Sequence, residues 1–159
     1  MTRVGLGFDL HALVPGRPLV LGGVTVPADL GLGGHSDADV LTHAIGEALL
    51  GALALGDLGR HFPDTDPRYR GISSLVLLRE VATLVAARGG RVVNVDGTVL
   101  AQAPRLAPYL ADMADRLAET LTLPREAVSV KAKSPEGLGL VGRGEGIAAM
   151  AVVGVEVRA

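Results

Sequence analysis

Apolar and polar positions alternate from the start of the chain. Around GLGFDLHAL (residues 5–13), Val4, Leu6, Phe8 and Leu10 fall on one parity, and Gly5, Gly7, Asp9 and His11 on the other. A period of two marks a strand, whose successive side chains point to opposite faces. The pattern predicts a strand near residues 2–9 with Val4, Leu6, Phe8 and Leu10 toward a core. Asp9 and His11 then lie together on the opposite face, beside two residues that have no side chain. Such a polar, roomy face suits the solvated side of an amphipathic edge strand, and it equally suits a site. RPLVLGGVTVP (17–27) has two β-rich arms around Gly22-Gly23, a hairpin signal, and the glycine-rich loop GLGGHSD (31–37) follows.

From residue 38 the period lengthens. Val40, Leu41, Ala44, Ile45, Ala48 and Leu49 form the apolar stripe of a helix over 38–55. The segment GDLGRHFPDTDPRYRG (56–71), with two prolines and three aspartates, reads as a surface loop or a site. Ser73 or Ser74 can cap a second helix that reaches about Arg88 and is ended by Gly89-Gly90. A strand over 91–104 follows, then a third helix over 105–122, entered near Pro104 and left before Pro124. The last elements are strands over 127–134 and 144–158, the final one apolar enough for burial on both faces. Three strands, two helices, a strand, a helix and two strands predict an α/β sandwich, a mixed sheet with helices packed on one face. The small apolar residues of the later strands would cover the other face poorly, so that face is expected to be buried by self-association.

Composition narrows the function classes. The chain has 159 residues, enough for a single domain (1–159) with a real core, and 48% hydrophobic against 20% charged residues mark a globular chain. No apolar run approaches the ~18 residues of a membrane span. MTRVGLGFDL lacks the long apolar stretch of a secretory signal, so a cytoplasmic location is expected. The net charge of -2, with no basic block, argues against a nucleic-acid surface. An anionic ligand would have to be met locally, by metals, backbone amides or a few arginines. The absence of cysteine excludes disulfides and thiolate zinc sites, leaving histidine and carboxylate as metal ligands.

Candidate chemistry is concentrated in four places. His35, Asp39, His43 and Glu47 are spaced by four, so Asp39, His43 and Glu47 share a helix face. That stripe can be the solvent side of the helix. Its histidine can also join Asp9 and His11, giving one carboxylate and two imidazoles, the donors of an open zinc site and equally of non-haem iron. In HFPDTDP, Asp64 and Asp66 can meet the hydroxyls of a sugar-like ligand or simply build a turn. GLGLVGRGEG places five glycines around Arg143, which suits phosphate but matches neither a Walker nor a dinucleotide fingerprint, and a tight loop would read alike. Lys133, Ser134 and Glu136 in AKSPEGLG are either an exposed loop of mixed charge or a phosphate site in which a divalent cation separates Glu136 from the ligand.

Taken together and in order, GFDLHAL, GGHSDADVLTHA, ALGDLGRHFPDTDP, NVDGTVLAQAPRL and GLVGRGEGIAA closely resemble the 2-C-methyl-D-erythritol 2,4-cyclodiphosphate synthase family of the non-mevalonate isoprenoid pathway, over nearly the whole chain. The resemblance implies an α/β sandwich assembled as a homotrimer, sheets around the threefold axis, with active sites between subunits. It implies conversion of 4-diphosphocytidyl-2-C-methyl-D-erythritol 2-phosphate to the cyclic diphosphate, by attack of the 2-phosphate on the β-phosphorus with release of CMP. It assigns Zn²⁺ to Asp9, His11 and His43, and Mg²⁺ or Mn²⁺ on the substrate diphosphate to Glu136. His35 and Ser134 fall where the family stabilises the transition state, with Ser36 beside the phosphates. Asp57, Leu58 and Gly59, and Phe62, Pro63, Asp64, Thr65 and Asp66, match the methylerythritol segments. Ala101, Gln102, Ala103, Pro104, Arg105, Leu106 and Ala107, with Lys133, Ser134, Pro135 and Glu136, match the cytidine diphosphate segments. Arg143 matches the arginine of the glycine loop. Departures are Lys133-Ser134 for a frequent Thr-Thr, Glu47 for a common Asp, Pro135 before Glu136, and Leu140 for a frequent Phe at the threefold cavity. A chain of this length implies the monofunctional form, without the cytidylyltransferase domain fused in some relatives.

Overall fold

The computed structural model describes residues 1–157; residues 158–159, which end the expected domain and include the last position of the expected final strand, lie outside the described residues. Strands β1 (Thr2–Val14), β2 (Leu19–Leu21), β3 (Val24–Val26) and β4 (Gly31–Leu32) precede helices α1 (Val40–Ala52), α2 (Leu58–His61) and α3 (Ser74–Ala87). Strand β5 (Gly90–Leu100), helix α4 (Leu110–Leu121), strand β6 (Val128–Lys133), helix α5 (Gly139–Gly142) and strand β7 (Gly146–Val157) complete the chain. The main sheet runs β4-β1-β7-β5-β6, and β2-β3 form a separate two-stranded ribbon. Among the described residues only β5 and β6 pair in parallel, with α4 as the crossover such a pair needs. The result is the expected mixed α/β sandwich.

Several boundaries differ from the sequence pattern for local reasons. β1 continues to Val14 because it stays paired with β7 as far as Ala12↔Gly146 and then with β4. α1 is shorter than 38–55: Ala38 (φ 58°) and Ala54 (φ 55°) are left-handed, and Asp39 caps the helix. The expected helix over 105–122 begins as a 3₁₀ turn at Ala107–Tyr109, where Pro108 has no amide to give to a preceding turn. Gly22 and Gly23 both have positive φ, as the two-residue hairpin between Leu21 and Val24 demands. Their amides donate to the Asp39 carboxylate at 2.9 and 2.7 Å, so the hairpin is latched to the start of α1. Asp39 is therefore spent on structure, and the shared face with His43 and Glu47 reduces to those two.

The two faces of β1 are the reverse of the expectation. Val4, Leu6 and Phe8 are 68%, 68% and 58% exposed, whereas Gly5 and Gly7 are buried under α1. A Cβ on Gly5 would sit 1.8 Å from the Ala48 carbonyl oxygen, and one on Gly7 1.9 Å from that of Ala44. The glycines let the helix backbone lie directly on the strand, and the core forms on their side. β7 is likewise not buried on both faces: Met150 and Val152, paired with Phe8 and Leu6, are exposed. The helix-covered face holds Ile147, Ala149, Ala151, Val153 and Val155 against Leu41, Ile45, Ala48 and Leu49.

Candidate metal centre and active site

Past the two glycines, the same inward face of β1 carries Asp9 and His11, and α1 brings His43 over them. Asp9 Oδ2 lies 2.9 Å from His11 Nε2 and 3.0 Å from His43 Nδ1, and the two nitrogens are 3.2 Å apart. A metal bound at ~2.0–2.1 Å sets neighbouring ligand atoms about 2.9–3.4 Å apart in octahedral or tetrahedral geometry. The triangle therefore fits a cation on its axis. It is a cluster of three metal-capable groups, all part-buried.

The surroundings prepare those donors. His11 Nδ1 donates to the Gly33 carbonyl at 2.7 Å, which leaves the Nε2 lone pair facing inward. His43 Nε2 faces Ser74 Oγ at 2.8 Å and Ser36 Oγ at 3.2 Å. Burial pushes the Asp9 carboxyl up, but with no metal between them the His11 and His43 rings, donating to it when a proton sits on the facing nitrogen, outweigh burial and hold Asp9 far below the usual carboxylate range. The Asp9 carboxylate in turn raises the His11 imidazole against the opposing effect of burial. This is a pocket built for positive charge.

The triangle opens into a cavity of about 600 Å³ lined also by His35, Ser36, Glu47, Leu58, Gly59, Phe62, Pro63, Asp64 and Thr65. Asp57 caps α2 through the Arg60 amide. Asp66 is committed to Arg68, at 2.6 Å to Nη2, while its carbonyl accepts from His35 Nε2 at 3.0 Å. Arg17 donates to the Gly34 and Ser36 carbonyls, both at 2.5 Å, and so grips the loop that carries His35.

The remaining predicted residues gather elsewhere. Gln102, Ala103 and Pro104 line a second cavity of about 640 Å³ with Val141 and the glycines 144 and 146. Ala103–Pro104 is a cis peptide. Ala101 and Leu106 are buried, while Arg105 and Ala107 are exposed. Ala101 N donates to the Lys133 carbonyl at 3.0 Å, and Gly137 N to Gln102 Oε1 at 2.9 Å, so the two segments expected to meet cytidine diphosphate are tied side by side. Glu136 is exposed, left-handed at φ 53°, and its amide meets Ser134 Oγ at 3.1 Å. Pro135 is half-buried and Leu140 is exposed; Arg143 pairs with Glu145 at 2.5 Å. One chain thus presents two separate groups: the metal-capable cluster with 35–36 and 58–65 around one cavity, and 101–104 tied to 133–137 apart from it.

Sequence reasoning missed Arg17 and the Asp37–Ser74 pair. Ser74 was visible as a helix-start residue, but the cap position is Ser73, without a side-chain bond, and Asp37 Oδ2 supplies the acceptor, at 3.0 Å from Ser74 N.

Fold and site define an α/β-sandwich protein with an open centre of two histidines and an aspartate suited to a metal. The chain belongs to the YgbB family, whose model matches residues 2–156. It is 62% identical over 151 residues to the 2-C-methyl-D-erythritol 2,4-cyclodiphosphate synthase of Syntrophobacter fumaroxidans, covering 95% of each chain. To the synthase of the same name from Moorella thermoacetica it is 60% identical over 151 residues, covering 95% of this chain and 93% of that one. A solved 2C-methyl-D-erythritol-2,4-cyclodiphosphate synthase in a CDP-bound form is similar at TM-score 0.89 and 40% identity, covering 97% of this chain and 100% of that one. The bifunctional IspDF of Campylobacter jejuni is similar at TM-score 0.95 and 39% identity over 99% of this chain, which spans 43% of that longer protein.

Proposed function

We propose that the chain is a metal-dependent cyclodiphosphate synthase of isoprenoid precursor biosynthesis, residues 1–159 forming one synthase domain in the cytoplasm. It converts 4-diphosphocytidyl-2-C-methyl-D-erythritol 2-phosphate to 2-C-methyl-D-erythritol 2,4-cyclodiphosphate and CMP. The observation that carries this reading is the Asp9–His11–His43 donor triangle, open to a cavity, in a chain so similar to named synthases. None of the described helices is long and apolar enough to cross a membrane, and the substrate is a small molecule.

The reaction asks little covalent chemistry of the protein. The 2-phosphate is already an anionic nucleophile, so no serine, cysteine or general base is needed. The requirement is to fold the substrate back on itself and to neutralise crowded oxygens. Asp9, His11 and His43 would hold Zn²⁺, which when bound supplies a Lewis acid for the reacting phosphate groups. Glu136 would hold Mg²⁺ or Mn²⁺ together with the diphosphate oxygens, since a lone carboxylate completed by phosphates and water suits that ion. His35 and Ser134 donate to the oxygens where charge develops, and Ser36 orients the phosphate. Segments 57–59 and 62–66 close around the methylerythritol. The backbone of 101–107 reads the cytosine edge, while Lys133 and Arg143 add charge beside the diphosphate.

The two groups fit one substrate if the metal side of one chain faces the nucleotide side of the next. We infer a homotrimer on that basis, and the exposed apolar strip of Val4, Leu6, Phe8, Leu10, Met150 and Val152 supports an assembly that covers it. The test is a product assay followed by phosphorus NMR, with substrate, Zn²⁺ and Mg²⁺. CMP with a cyclic diphosphate is expected. CMP with a linear diphosphate would make the centre a hydrolase that activates water, and the cyclase reading would fall.

A further inference from the structure

A neutral imidazole has one N–H and one lone pair, and the partner of its outward nitrogen decides which of them faces a metal. For His11 that partner is a carbonyl, which only accepts. For His43 the outward Nε2 faces two hydroxyls, Ser74 Oγ at 2.8 Å and Ser36 Oγ at 3.2 Å. A hydroxyl both donates and accepts, so neither alone determines the tautomer.

Ser74 differs from Ser36 in what stands behind it. Its Oγ is hydrogen-bonded to Asp37 Oδ1, while Asp37 Oδ2 accepts the Ser74 amide at 3.0 Å. A carboxylate only accepts, so the Ser74 hydroxyl proton goes to Asp37. The Ser74 oxygen is then left to accept from His43 Nε2–H, and the Nδ1 lone pair is left facing Asp9 and His11. Ser74 is 0% exposed, so water does not replace it. The Asp37 backbone is itself pinned, its amide donating to the Ile72 carbonyl at 3.0 Å. Ser36 lacks such an anchor: its Oγ accepts the Ala38 amide at 3.2 Å, which leaves the direction of its own proton open.

We propose that Asp37 and Ser74 are positioning residues, a relay that fixes the tautomer and orientation of His43 for metal binding. The proposal rests on the metal reading of the Asp9–His11–His43 triangle. It also gives the start of α3 a role in the centre, because the relay ties that helix to α1 and to the loop before it.

The experiment titrates Zn²⁺ into metal-stripped full chain against a chromophoric chelator, for the wild type, Ser74→Ala and Asp37→Asn. Ser74→Ala keeps the residue-74 amide that Asp37 accepts, so it separates the relay from the helix cap; Asp37→Asn disturbs both. Each variant is expected to weaken Zn²⁺ binding about 10–100-fold, the range for loss of a group that orients a ligand. Nitrogen NMR of the Zn²⁺-loaded wild type, where the metal rather than a proton faces Asp9, is expected to show His43 as Nε2–H with that proton protected from solvent exchange, and Ser74→Ala to lose the protection. A merely structural serine would lower the melting temperature and leave that signature in place. Zn²⁺ affinity within threefold of wild type in Ser74→Ala, with His43 unchanged, overturns the relay. So does an unprotected His43 Nε2 proton in the Zn²⁺-loaded wild type, even if neither variant folds. A wild type that takes up no Zn²⁺ overturns instead the metal reading beneath it.

Discussion

The two faces of β1 contrast sharply. One carries Gly5, Gly7, Asp9 and His11 and is closed by α1, backbone against backbone. The other carries Val4, Leu6, Phe8 and Leu10 and is exposed in the single chain. The face with the least side chain is the core, and the face with the most apolar side chain is the surface. The first consequence is positional: only a helix lying this low on the strand sets His43 Nδ1 within 3.0 Å of Asp9. The second is that the outer face has the composition of an interior, which water alone covers at a cost of about 25 cal/mol per Å² of apolar area. The metal-capable cluster and the exposed apolar strip are therefore opposite sides of one strand.

The strongest way to break this contrast is to give the inner face a side chain. In Gly7→Val the new Cβ would meet the Ala44 carbonyl oxygen at 1.9 Å, and backbone cannot swing aside as a flexible side chain does. The expected loss exceeds the ~1–3 kcal/mol typical of overpacking, enough to leave little folded protein. Circular dichroism melts check it; a variant that melts like the wild type would mean α1 does not seat on Gly7. The next test charges the outer face. Phe8→Asp is expected to fold, since Phe8 is 58% exposed, but to fall from three-fold to one-fold of the 16.3 kDa chain mass in sedimentation and to lose turnover. A trimer that survives Phe8→Asp would move the interface off this face.

Period-two alternation sorted the residues of β1 into the correct two sets and placed Asp9 beside His11. It could not say which set faces inward, because apolar content points away from a core face built on glycine, where a helix backbone takes the place of side chains. The glycines held the missing information, but as an absence of side chain, visible only once a helix lies against it. α1, α3, β5, β6 and β7 were legible from period and breakers. The single-turn helices α2 and α5 and the two-residue β4 are too short to carry a period. The three metal-capable donors were legible from motifs at Asp9, His11 and His43. The Asp37–Ser74 link was not, because its partners are 37 residues apart and only the packing of α3 brings them together.

The smallest effect expected belongs to Glu47, one turn beyond His43, where the inner face opens into the cavity. Burial raises its carboxyl above the usual range, and the Leu58 amide, donating to Oε1 at 3.1 Å, only partly opposes that. A raised pKa means that the folded chain holds the proton more tightly than the unfolded one, whose group titrates near 4.5. Stability from this group is complete below that value and is lost as pH rises through the folded pKa. Glu47→Gln keeps an acceptor for the Leu58 amide and removes the titration. In metal-stripped protein, the variant is expected to gain on the wild type as pH rises through this range and to match it at lower pH, by a margin that solvent screening of a part-exposed group keeps small. Urea midpoints across pH measure it. A wild type that instead gains on the variant as pH rises would mean that the ionised carboxylate is the stabilising form, held by the Leu58 amide, and the inner face would then tolerate negative charge beyond Asp9.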